Sequence, residues 1–176
     1  QMRYVMVVTM ICSLLSANAC VGADTPTGPD TGNAMAVTMD DLRRLEGGNW
    51  EGSLSYLNYG SDKRSTIPVK AAIKVLDENA LQYAIQYPGE EQYNAKERLK
   101  LSSDGTRIDG YIITSREQTA DGMLILTTEG TGRDDNRPAE VQVIYTVAAD
   151  RFSIRKNVRF KSSEAYLNRN EYGFRR

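Results

Sequence analysis

Histidine is missing from all 176 residues, and that absence removes much chemistry. Without an imidazole there is no histidine-activated serine or cysteine nucleophile, no histidine-ligated zinc and no histidine-ligated haem. Cysteine is scarce: Cys12 and Cys20 are the only two, and both lie close to the N-terminus. The rest of the chain has no pair to oxidise, so no disulfide supports its fold. An excess of one charge is lacking too, since 22 Lys and Arg stand against 23 Asp and Glu. That balance gives no electrostatic footprint for nucleic acid. The apolar run from Tyr4 to Leu15 is too short for a membrane span and is soon followed by polar residues.

What is present there reads as a secretory leader over residues 1–19. Arg3 supplies the positive start, Tyr4 to Leu15 the apolar core, and Ser16-Ala17-Asn18-Ala19 the small-residue end. Gln1 precedes Met2, the expected initiator, and is set aside. Cys20 follows directly and resembles the lipidated cysteine of bacterial lipoproteins, although Ala17 stands where Leu is usual. The expectation is therefore export, with a lipid on Cys20 holding the protein to the periplasmic, outer-membrane or cell-surface side of a membrane. Ordinary cleavage and secretion is the alternative. Residues 20–37, rich in Thr, Pro, Gly and Asp and without periodicity, read as a disordered tether. Residues 38–176 then make one domain of ordinary size.

That domain is organised around Gly48-Asn49-Trp50-Glu51-Gly52-Ser53-Leu54-Ser55-Tyr56, which carries the only tryptophan. With period two, Trp50, Gly52, Leu54 and Tyr56 share a face built for burial. Thr38 to Leu45 before it reads as a short helix, capped by Thr38, with Asp40 and Asp41 at its positive end and Gly47-Gly48 as its stop. Afterwards Ile67, Val69, Ala71, Ile73 and Val75 alternate with more polar neighbours, and Leu81, Tyr83, Ile85 and Tyr87 do the same. Further strands are expected around Ala95 to Leu101, Arg107 to Ser115, Met123 to Glu129, Val141 to Val147, Phe152 to Phe160 and Tyr166 to Arg176. Gly130 to Pro138 reads as the longest charged loop, and its Asp134-Asp135-Asn136 lacks the glycine and glutamate of a calcium loop.

Roughly nine strands with hairpin-length connections predict an antiparallel meander. Left open, a sheet of that size would expose an apolar face and two edges, so an up-and-down β-barrel is expected, of about 8–10 strands with a short N-terminal helix. A two-sheet β-sandwich is the alternative. The helical turn, Gly48-Asn49-Trp50 opening the first strand, and a late arginine-bearing strand together resemble the lipocalin-like (calycin) barrels, and the whole chain is similar to small bacterial lipoproteins with such a domain. The resemblance implies that Trp50 packs across the closed end, with Arg169 or Arg175 against its ring. It departs from secreted lipocalins in lacking their disulfide, and from nitrobindin-like barrels in lacking a haem-ligating histidine.

Tyr56, Tyr83, Tyr87, Tyr145 and Tyr172 fall on inward faces, and each must place a hydroxyl as well as a ring. So many phenols suit a cavity better than a solid core. Glu97 and Lys156 are the charges on otherwise apolar faces; they pair with each other, with Arg169 or with Glu171, or they stand at the mouth. The site expected is therefore Tyr56, Tyr83, Tyr87, Tyr145, Glu97 and Lys156 around a small apolar or amphipathic ligand. No spacing selects a catalytic set, so no enzyme activity, cofactor or metal is expected, and the chain reads as a monomer. The rival reading is a filled barrel that presents its loops to a protein partner.

Overall fold

The computed structural model describes residues 35–176; the expected leader, Cys20 and most of the expected tether lie outside the described residues. Val37, assigned from sequence to the end of the tether, is buried and donates its N–H to the Gly105 carbonyl at 2.9 Å. The packed chain thus begins slightly earlier than periodicity alone indicates. Helix α1 (Met39–Arg43) starts at Thr38, whose N–H donates to Asp41 Oδ2 at 3.0 Å, and it buries Met39 and Leu42. Asp41 also meets Arg116 at 3.0 Å, tying the helix to the wall of the barrel.

Ten strands follow: β1 (Gly47–Asn58), β2 (Lys63–Asp77), β3 (Ala80–Gln86), β4 (Ala95–Lys100), β5 (Arg107–Ile108), β6 (Tyr111–Gln118), β7 (Leu124–Asp134), β8 (Arg137–Val147), β9 (Arg151–Phe160) and β10 (Leu167–Arg175). From β1 to β4 and from β5 to β10 each strand pairs antiparallel with the next, and β10 returns to β1, with Glu51 opposite Arg175 and Leu54 opposite Tyr172. The remaining seam, between β4 and β5, is stitched at one end only. Leu101 bridges Ile108, and the Asp109 N–H donates to the Lys100 carbonyl at 2.8 Å. The result is a nearly closed all-β barrel with one short helix, and the single continuous strand order excludes the two-sheet sandwich.

Trp50 is fully buried at the helix end. Its indole N–H donates to the Leu45 carbonyl at 2.9 Å, and its ring meets Phe152 edge-on at 4.8 Å. The guanidinium lying over it, 4.3 Å from the ring centre, belongs to Arg176. That corrects the expectation of Arg169 or Arg175. Arg175 is exposed and sits on the outward parity of β10, next to inward Phe174. Arg176, past the end of the strand, is free to turn back, and it donates to the carbonyls of Arg44, Glu46 and Ala149.

A second correction concerns Gly130 to Pro138. Rather than a long loop, β7 and β8 continue to a two-residue turn at Asp135 and Asn136, both at positive φ (50° and 58°), with Asp134 paired to Arg137. Asp and Asn tolerate this conformation, and such a turn matches the twist of a hairpin. Asp134 therefore ends the inward-facing row Leu124, Leu126, Thr128 of β7 and is itself only 3% exposed.

Candidate functional site

Between the helix end and the far end of β1 the barrel holds a cavity of about 380 Å³. Its size follows from the choice of side chains. At the helix end Leu42, Leu45, Leu81, Leu99, Ile108 and Leu124 belong to the buried core, with a void of only about 20 Å³ among them. Further along, the inward positions change to Tyr83 on β3, Tyr145 on β8 and Tyr172 on β10, rings that line a space instead of filling it. An aromatic ladder leads into it: Phe152 and Phe174 stack at 4.5 Å, and Phe174 and Tyr172 lie nearly parallel at 6.1 Å.

The cavity reaches the surface sideways. Its lining includes Lys96, Arg98 and Lys100, which are exposed on the outer face of β4, and Asp109 and Tyr111 across the seam. Beyond the Leu101–Ile108 bridge, β4 and β6 share no ladder. The opening is that unpaired stretch. Tyr111 is held at its side by β7: a methyl group on Gly130 would fall 2.1 Å from the Tyr111 ring, so only glycine lets the ring lie flat there.

Of the residues expected from sequence, Tyr83, Tyr145, Glu97 and Lys156 line the cavity. Tyr56 does not; it is buried in the packed core. Tyr87 stands one layer back, its hydroxyl 2.9 Å from that of Tyr172. Tyr111 and Asp109 are additions that no sequence pattern singled out. The charges are arranged differently from the expectation as well. Lys156 pairs with Asp134 at 3.0 Å, not with Glu97, Arg169 or Glu171. Arg169 joins the same carboxylate at 3.3 Å, donates to the Leu57 carbonyl and lies over the Tyr59 ring at 4.4 Å, while the Tyr59 hydroxyl donates to Asp134 at 2.6 Å. Tyr59 follows β1 and Trp50 opens it, so the two clusters lie about 30 Å apart at a rise of ~3.3 Å per residue. Arg169 faces inward because β10 shifts register between Asn168 and Asn170, and a bulge re-aims a side chain.

Burial governs the ionisable groups. It raises Glu97 above the usual carboxylate range and holds the phenols of Tyr83 and Tyr145 above theirs, with Asp109 adding to both and Glu97 to Tyr83. Burial also pushes Asp109 up to about 6, against the Lys100 N–H bond at 2.8 Å and the Lys100 charge. Folded Asp109 thus keeps its proton to higher pH than an unfolded carboxyl, which titrates at about 3.9. The stability it contributes is complete below about pH 4 and is lost as pH rises through about 6. Asp109→Asn keeps the acceptor for Lys100 and suits the left-handed backbone at φ 51°. Thermal melts across pH 4 to 7 should show the variant gaining on the parent as pH rises; parallel curves would place the carboxyl in water.

No protein-family model matches the chain, and no curated protein does. Among solved structures, a mutant of the fluorescent protein UnaG aligns with 77% of this chain and 97% of its own, at 12% identity and a TM-score of 0.39. At that score the likeness adds nothing to the strand pairing described above.

Proposed function

We propose that this protein binds a small apolar or amphipathic molecule, non-covalently, inside the barrel. The observation that carries the reading is the cavity of about 380 Å³, walled by tyrosine and phenylalanine and open at one side. Ligand pockets of roughly this size, mostly apolar with a few placed polar groups, are the common form of small-molecule sites. A filled barrel acting only through its loops would have no use for an open interior, so the cavity favours the binder over the interaction module. Export with a lipid on Cys20 would place that binding at a membrane face, and native mass spectrometry of the envelope fraction would detect the added acyl mass.

Titration with the neutral dye Nile red tests the binding itself. The expected result is a saturable, one-to-one rise in fluorescence. Val143, buried on the cavity wall, is the place to block it. Val143→Phe should abolish the signal while the circular dichroism spectrum stays that of the parent. A parent that gives no saturable signal would remove the reading.

A further inference from the structure

Three features of the cavity bear on what it holds. Glu97 is its one inward charge without a counter-ion: it makes no hydrogen bond or ion pair with any described residue, and burial alone shifts it. Lys156, the inward cation, is already held by Asp134, a carboxylate it shares with Arg169, and Asp109 feels Lys100. The Tyr145 hydroxyl, on a residue 94% buried by its 6% exposure, lines the cavity and has no hydrogen-bond partner among the described residues. Tyr83, directly opposite Glu97 in the β3–β4 ladder, is likewise unpartnered. The walls are aromatic.

A ligand gains most where the protein has left a group desolvated and unanswered. Here that group is an acid, flanked by phenols whose oxygens accept hydrogen bonds and whose ring faces attract cations. Resting on the binding function proposed above, we infer that the ligand carries a protonated amine, seated on Glu97 beside Tyr83, with its apolar body against Phe152, Phe174 and Tyr172. Lys96, Arg98 and Lys100 do not oppose this. They point outward into water at the opening, where salt screens them and leaving them unpaired carries no penalty. An anionic headgroup would have to stay at that rim, since further in it meets Glu97.

Displacement of Nile red by decylamine, decanol and decanoate at pH 7 compares one chain with three headgroups. The amine should bind about tenfold more tightly than the alcohol, and decanoate more weakly than either. Glu97→Gln should bring the amine and the alcohol to the same affinity, with a melting temperature at pH 7 no lower than that of the parent, since the amide removes a charge that burial disfavours. Glu97→Asp, which keeps the charge on a shorter arm, should retain part of the preference. If decanol binds and the amine has no advantage, or the advantage survives in Glu97→Gln, the amine assignment falls and the cavity-binding function stands. If decanoate binds most tightly, the rim lysines set the specificity and the assignment falls likewise. If no probe displaces the dye, both fall together.

Discussion

Asp134→Ala is expected to lower the free energy of unfolding by about 3–5 kcal/mol, the range for breaking a buried ion pair from one side. The carboxylate holds Lys156 at 3.0 Å and Arg169 at 3.3 Å and accepts the Tyr59 hydroxyl at 2.6 Å. Arg169 is 6% exposed, so truncating Asp134 would strand its charge with little water to take the place of the carboxylate. Urea unfolding followed by circular dichroism measures the loss. A change below about 1 kcal/mol would mean that the cluster behaves as an exposed pair. Replacing the charges together separates desolvation from packing. Asp134→Leu combined with Arg169→Met and Lys156→Met should recover part of the loss, because no buried charge is then left uncompensated, although the Tyr59 hydroxyl and the Leu57 carbonyl lose these partners.

Trp50→Ala should be equally damaging, by about 3–5 kcal/mol, for a different reason. The ring is fully buried and fills the space between α1 and Phe152 at the end of the barrel. Its removal leaves a void, frees the Leu45 carbonyl and takes away the surface on which the Arg176 guanidinium rests. Arg176→Gln provides the comparison. Losing an exposed cation–π contact amounts to about 0.5–1 kcal/mol, so the two variants should differ severalfold. Near-equal losses would show that the arginine and its three carbonyl contacts hold this end together, with the indole as a passenger.

The parts of the barrel legible in the sequence are those where side-chain parity is uninterrupted. Ile67 to Val75 and Leu81 to Tyr87 alternate without a break, and the residues expected inward are buried in the structure, with Ile67, Val75 and cavity-lining Tyr83 half-buried. Thr38 and the aspartates place the start of the helix, but it ends at Arg43, and Gly47 and Gly48, expected as its stop, already belong to β1; period two places Tyr83, Glu97, Tyr145 and Lys156 on the interior. The misreadings have physical causes. Gly130-Thr131-Gly132 looks like a loop because glycine is a turn former, yet Gly130 is there to admit the Tyr111 ring. Once β7 is cut short, Asp134 is read as solvated and the partner of Lys156 disappears from view. Arg169 turns inward through a bulge, which a composition of Asn, Arg and Asn does not announce. Arg176 reaches Trp50 from beyond the last strand, where parity no longer applies. The side opening is the absence of pairing between β4 and β6, and strand neighbours are settled by the whole fold, not by either segment.

The pairing of β1 with β10 has a consequence for how the molecule is made. Glu51 and Arg175 are ladder neighbours at opposite ends of the domain's chain. At a ribosomal pace of about 5–20 residues per second, β1 waits on the order of ten seconds before its partner emerges. Throughout that interval its edge is a bare template for other unfinished chains, so a nascent chain halted before β10 should be the species that aggregates or is captured by a holdase.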